Sequence, residues 1–98
     1  MAYQLIWAPS ARLDLKELAS YIAESGPNLA VRFVKQVFQA VGRLAEFPES
    51  GRIVPEFRNP SIREVIRRPC RIVYRIKLQQ RVVEIVRVWH AARGAPEL

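Results

Sequence analysis

The chain has a single cysteine, Cys70, and a single histidine, His90, in 98 residues. One cysteine excludes an intrachain disulfide, and one histidine beside it supplies no zinc-ligand set, so neither a metal nor a cofactor is expected. No N-terminal stretch joins a basic start to a long apolar run, and no apolar run approaches a membrane span. A cytoplasmic protein without membrane contact is expected. Repeats, low-complexity tracts and linkers are missing as well, and half the residues are hydrophobic. Residues 1–98 therefore form one folded domain. Acidic residues are scarce in one half only. Residues 1–51 hold five basic and five acidic side chains, whereas 52–98 hold eleven basic and four acidic, so the net charge of +7 resides in the second half. Such asymmetry suits an anionic partner, either nucleic acid or an acidic protein.

Periodicity gives the order strand, helix, helix, strands. "YQLIW" (3–7) is short and rich in aromatic and β-branched residues, as a strand requires. Pro9-Ser10 opens a helix in which Ala11, Leu15, Leu18 and Ile22 share one face. Gly26-Pro27-Asn28 stops it, with Asn28 placed to cap the next helix. There Ala30, Val34, Val37, Val41 and Leu44 line one face, while Val31, Phe33 and Phe38 extend the apolar surface beyond that stripe. The helix ends by Phe47-Pro48, and the short link predicts an antiparallel helical hairpin. "ESGRIVPEFRNPS" (49–61) is a long connection of the kind that often carries function.

Strands are expected at 62–68, 71–78 and 82–89. The last two are joined through "QQ", which lacks the Asn-Gly hairpin signal but is too short for a crossover. An even loop pairs Ile76 with Val83 and Tyr74 with Ile85 on the helix side. The other face then carries Arg75 against Glu84, Val73 against Val86 and Arg71 against Val88, with His90 one diagonal step from Arg71. Arg87 falls on the helix side, near an edge. For the preceding strand two connections remain open. Three residues would set Arg63 opposite Arg75 and Arg67 opposite Arg71; two would set Ile66 beside Arg71.

The pieces "FPESGR" (47–52), "PE" (55–56), "IRE" (62–64), "RIVYRI" (71–76) and "VWHAAR" (88–93), with the opening "WAPSARLDLKELASYIAESGP", resemble the RelE/ParE superfamily of toxins from bacterial type II toxin–antitoxin systems. The resemblance spans the whole chain. It implies an α+β fold with an N-terminal strand, an antiparallel helical hairpin and a three-stranded antiparallel β-meander in one sheet. Two activities exist in the superfamily. RelE-like members cut messenger RNA on the ribosome; ParE-like members poison DNA gyrase. The long hairpin and the strand framework look ParE-like. Glu56, Arg71 and His90 match a general base, a phosphate-binding arginine and a general acid of some RelE-like nucleases. Other such nucleases use lysines and a C-terminal tyrosine, yet this chain has no tyrosine after Tyr74 and only Lys77 after Lys35.

Metal-free RNA cleavage needs a base for the 2′-OH, a cation for the phosphorane and an acid for the leaving oxygen. Glu56, Arg71 and His90 could supply these, with Arg52, Arg63, Arg67, Arg75 and Arg93 binding or assisting. Three functions follow: a ribosome-dependent mRNA endonuclease, slightly favoured here; a non-enzymatic gyrase inhibitor; or a small basic nucleic-acid-binding module. The resemblance also implies a cognate antitoxin whose tail folds on the toxin in a hetero-oligomer. Val31, Phe33 and Phe38 are its expected contacts.

Overall fold

Two prolines at helix starts and apolar strand runs in the second half set the architecture. The computed structural model describes residues 2–98. The order is β1 (Gln4–Trp7), α1 (Pro9–Ala23), α2 (Pro27–Arg43), β2 (Arg52–Ile53), β3 (Ile62–Arg67), β4 (Cys70–Lys77) and β5 (Val82–His90), followed by a 3-10 turn at Ala91–Arg93. All strands join one sheet in the order β1-β5-β4-β3-β2. β1 runs parallel to β5 and the remaining pairs are antiparallel. The expected α+β arrangement holds, and β2 is an additional short strand inside the 49–61 connection.

Both helices begin with proline at the first helical position. Proline's fixed φ is already helical there and its missing N–H leaves no donor to satisfy. This corrects the expectation for Asn28: Gly26 occupies the N-cap, and Asn28 lies inside the first turn of α2. The buried face of α2 also differs. Phe33, Val37, Ala40, Val41 and Leu44 are buried, so Phe33 belongs to the core and is only 6% exposed. The alternative stripe through Ala30 and Val34 would leave that large ring in water, and burying a phenylalanine is worth about 1.5–3 kcal/mol. These residues pack with Ala11 of α1 on Ile72, Tyr74, Val83, Ile85 and Val88. A smaller cluster of Val54, Ile62, Val73 and Val86 fills the other face.

The β4–β5 hairpin has a four-residue loop, with Lys77 opposite Val82, Ile76 opposite Val83 and Tyr74 opposite Ile85. Arg75 stands opposite Glu84, although the Glu84 carboxylate pairs with Lys77 at 3.4 Å. Beyond Tyr74 the register shifts at a bulge, which overturns the expected partners. Val73 faces Arg87, Arg71 faces Trp89, and Cys70 faces His90. One extra residue on β5 reverses the alternation there, so Val88 joins the helix-side core. Between β3 and β4 the two-residue connection is realised, and Ile66 stands opposite Arg71.

The bulge lies where β1 ends. β5 would be left with an open edge after Ile85, and α1 covers it. The Ala8 amide donates to the Ile85 carbonyl, the Ser10 hydroxyl to the Val86 carbonyl, and the Val88 amide to the Asp14 carboxylate. Arg87 grips both oxygens of Asp14, at 2.7 and 2.8 Å.

The start of the 49–61 connection is pinned from the core. The buried Tyr74 hydroxyl donates to the Pro48 carbonyl at 2.6 Å and accepts from the Gly51 amide at 3.0 Å. A methyl group on Gly51 would sit 2.5 Å from that hydroxyl and 2.6 Å from the Glu64 carbonyl. Gly51→Ala is therefore expected to lower stability by about 1–3 kcal/mol, the usual effect of overpacking. A reduced urea midpoint at unchanged slope checks this.

Candidate functional site

Glu64 is the centre of the polar face. It lies in β3 beside Val73, and its side chain has no exposed surface. A buried carboxylate requires paired donors. Arg71, on the neighbouring strand, donates from Nε to Glu64 Oε1 at 2.6 Å and from Nη2 to Oε2 at 3.2 Å. Arg52 on β2 adds a bond from its Nε to Oε2 at 2.7 Å. Arg71 then reaches the long connection, with Nη1 and Nη2 on the two oxygens of Glu56 at 3.0 and 2.7 Å. Its Nη1 also donates to the Gly94 carbonyl at 3.3 Å. All five N–H groups of this guanidinium are thereby used.

The charges respond accordingly. The hydrogen bonds from Arg71 hold the Glu56 carboxyl at about 2 against an ordinary 4.5. The same carboxylates, Glu56 foremost, raise the Arg71 pKa and keep it protonated. Burial, with Asp14 nearby, pushes the Cys70 thiol up to about 11, which favours the protonated thiol at neutral pH.

The expected site residues come together only in part. Glu56 and Arg71 meet, but as partners of each other. His90 stands opposite Cys70, off the face that Arg71 occupies, because the bulge shifted the register. Its Nδ1 accepts from the Ala92 amide at 3.1 Å and caps the 3-10 turn. It borders a pocket of about 630 Å³ with Arg52, Arg68 and Arg71, and also a smaller cleft beside Asp14, Glu17 and Arg93. Arg63 is spent on the connection, donating to the carbonyls of Pro60, Glu49 and Gly51. Arg67 donates to the Ile66 carbonyl. Arg93 lies 3.9 Å over the Trp89 ring, and Arg87 lies 4.7 Å from the same ring. Trp89 is buried and donates from Nε1 to the Gly94 carbonyl. Among the described residues no cluster of side chains could hold a metal ion, and no helix is long and apolar enough to cross a membrane.

A second feature lies on the helix side. Val31 and Phe38 are 55% and 52% exposed, while Phe33 is buried and cannot serve as a surface contact. Phe38 packs on Trp7 with ring centroids 5.3 Å apart. Together with Ile6, Leu15 and Val34 they line an apolar groove of about 600 Å³, rimmed by Arg12 and Lys16. A neighbouring hollow of about 440 Å³ continues it past Val31 between the helices.

Residues 5–94 match the family model of the ParE toxin of type II toxin–antitoxin systems. The chain belongs to the ParE toxin family. It is 33% identical over 90 residues to Toxin RelE2 of Caulobacter vibrioides, covering 92% of this chain and 97% of that protein. Among solved structures it is similar to one from a chromosomal ParDE toxin–antitoxin system of P. aeruginosa, with TM-score 0.74, 23% identity and coverage of 91% and 96% of the two chains. It is also similar to a chain of the RelBE2 toxin–antitoxin complex from Mycobacterium tuberculosis, with TM-score 0.62, 26% identity and coverage of 92% and 99%. The relatives carry both ParE and RelE names.

The buried cluster makes two tests available. Arg71→Ala leaves the buried Glu64 with Arg52 alone, and removing one partner of a buried pair costs about 3–5 kcal/mol, a large share of a small domain's stability. A sharp fall in melting temperature, with soluble protein lost at growth temperature, is the expected outcome. The second concerns acid. Because Glu56 is depressed from 4.5 to about 2 in the fold, its contribution is complete above pH 4.5 and is lost as pH falls through about 2. Urea midpoints between pH 7 and pH 2 should decline less steeply for Glu56→Gln than for the wild type.

Proposed function

We propose that this chain is the growth-arresting toxin of a type II toxin–antitoxin pair and that it acts by binding DNA gyrase, as ParE-like members do, and not by cutting mRNA. The observation that carries this reading is the complete engagement of Arg71. A phosphate-stabilising arginine needs donors aimed at the reacting phosphate, and here every donor ends on the protein itself. A general base needs a proton affinity near neutrality; Glu56 is held far below it. His90 directs one ring nitrogen to the backbone and stands off the Arg71 face. The family model supports the same reading.

The cognate antitoxin is the second partner, as the toxin–antitoxin complexes of structural relatives suggest. The groove through Trp7, Val34, Phe38 and Val31 suits an amphipathic segment, and its basic rim suits acidic residues on that segment. A segment that orders along it would bury well over about 1,000 Å².

Purified toxin is expected to inhibit gyrase supercoiling and to leave ribosome-bound mRNA uncut when both assays run side by side. His90→Ala should still arrest growth. Ribosome-dependent cleavage that disappears in a natively melting His90→Ala would replace this reading with the nuclease. Phe38→Asp should weaken antitoxin binding at least tenfold, measured by calorimetry, with an unchanged melting temperature. Phe33→Asp should instead fail to fold.

A further inference from the structure

The two carboxylates on Arg71 are not equivalent. Glu64 is fully buried within β3, and Gly94 belongs to the turn that closes the chain on the sheet; together they take three of the five N–H bonds. The other two bonds form a fork on Glu56, whose side chain is 34% exposed. Glu56 sits in a turn of exposed residues, 55–61, tied back by the Phe57 and Arg58 amides to the carbonyl of buried Val54. Arg58, a non-glycine residue, is held there at a φ of 52°.

Charge accounting separates the two carboxylates further. Arg71 and Glu64 neutralise each other, and Arg52 adds a second cation on Glu64. If Glu56 swings out, the buried pair stays balanced and the fork is left open beside surplus positive charge. Arg52 and Arg68 border the same pocket as Arg71, and Arg68 makes no ion pair among the described residues. The opened fork therefore favours an oxyanion.

We propose that the Nη1/Nη2 fork of Arg71 is a docking site for an Asp or Glu carboxylate of a protein partner, kept shut in the free chain by Glu56 as an internal stand-in. This rests on the reading of the chain as a toxin that works by binding a protein. The fork already holds a planar, two-oxygen group bidentately, the geometry that an arginine offers a carboxylate. An exposed turn is the element that can leave without disturbing the core.

The test uses purified toxin alone, so its failure is distinct from failure of the gyrase assays. Wild type, Glu56→Ala and Glu56→Gln, each labelled with ¹⁵N, are titrated with malonate and separately with inorganic phosphate, while the Arg71 Nε–H resonance is followed. Malonate should bind Glu56→Ala one-to-one, at least about tenfold more tightly than wild type, and should shift that resonance. Phosphate should bind more weakly than malonate. If Glu56→Ala does not fold, Glu56→Gln is judged by the same comparison with wild type. Equal affinity in variant and wild type, or binding that leaves the Arg71 signal unmoved, overturns the proposal. Tighter binding of phosphate than of malonate also overturns it and assigns the fork to a phosphodiester.

Discussion

A carboxylate with no exposed surface, Glu64, governs how the polar side of this protein is assembled. Such a group is tolerated only with matched donors, and Arg71 on the adjacent strand supplies two of them. Once Arg71 is turned inward for that purpose, its remaining donors need acceptors too. They find them on the long connection at Glu56 and on the closing turn at Gly94. Two segments far apart in sequence are thus tied to one side chain. The helix side follows a different principle, with apolar rings and β-branched residues excluding water. The sheet separates an ionic half from a greasy half.

Much of this was legible in the residues. The positions of β1, β3, β4 and β5, both helices and the register from Ile76 to Tyr74 follow from periodicity and loop length, whereas the two-residue β2 does not. Alternation fails at the bulge because a bulge carries no composition signal of its own. Val86, Arg87 and Val88 read the same with or without an extra residue, yet the choice decides whether His90 shares a face with Arg71. The hint available was Arg87 itself. A strict alternation drives it into the helix-side core, whereas the bulge sets it opposite Val73, from where it reaches Asp14 on α1. Glu64 escaped notice for another reason. A single acid within "IREVIR" looks like solvent-facing charge, and only the three-dimensional meeting with Arg52 and Arg71 reveals a buried centre. Phe33 lies in the core and off the expected stripe because helical spacing fits two adjacent stripes equally, and ring volume decides between them.

The candidate triad shows why residue identity and position are insufficient for chemistry. Glu56 and Arg71 are adjacent, as a base and a phosphate ligand would be, but their contact is what disarms both. An acid locked in a bidentate pair has little affinity for a proton, and while Glu56 holds the fork the guanidinium has all five donors occupied. Gly51 and Tyr74 play a quieter part. Their close approach fixes where the connection departs from the sheet, and so where Glu56 can land.

The parallel pairing of Gln4–Trp7 with Val82–Ile85 has a consequence for how the protein is born. β1 has no strand neighbour until β5 is synthesised. The backbone edge that pairs with β5 must wait through translation of everything between. Contacts of such sequence separation form late and slowly. A nascent or prematurely terminated chain lacking residues 82–85 has no seat for its own N-terminus. It therefore cannot complete the sheet.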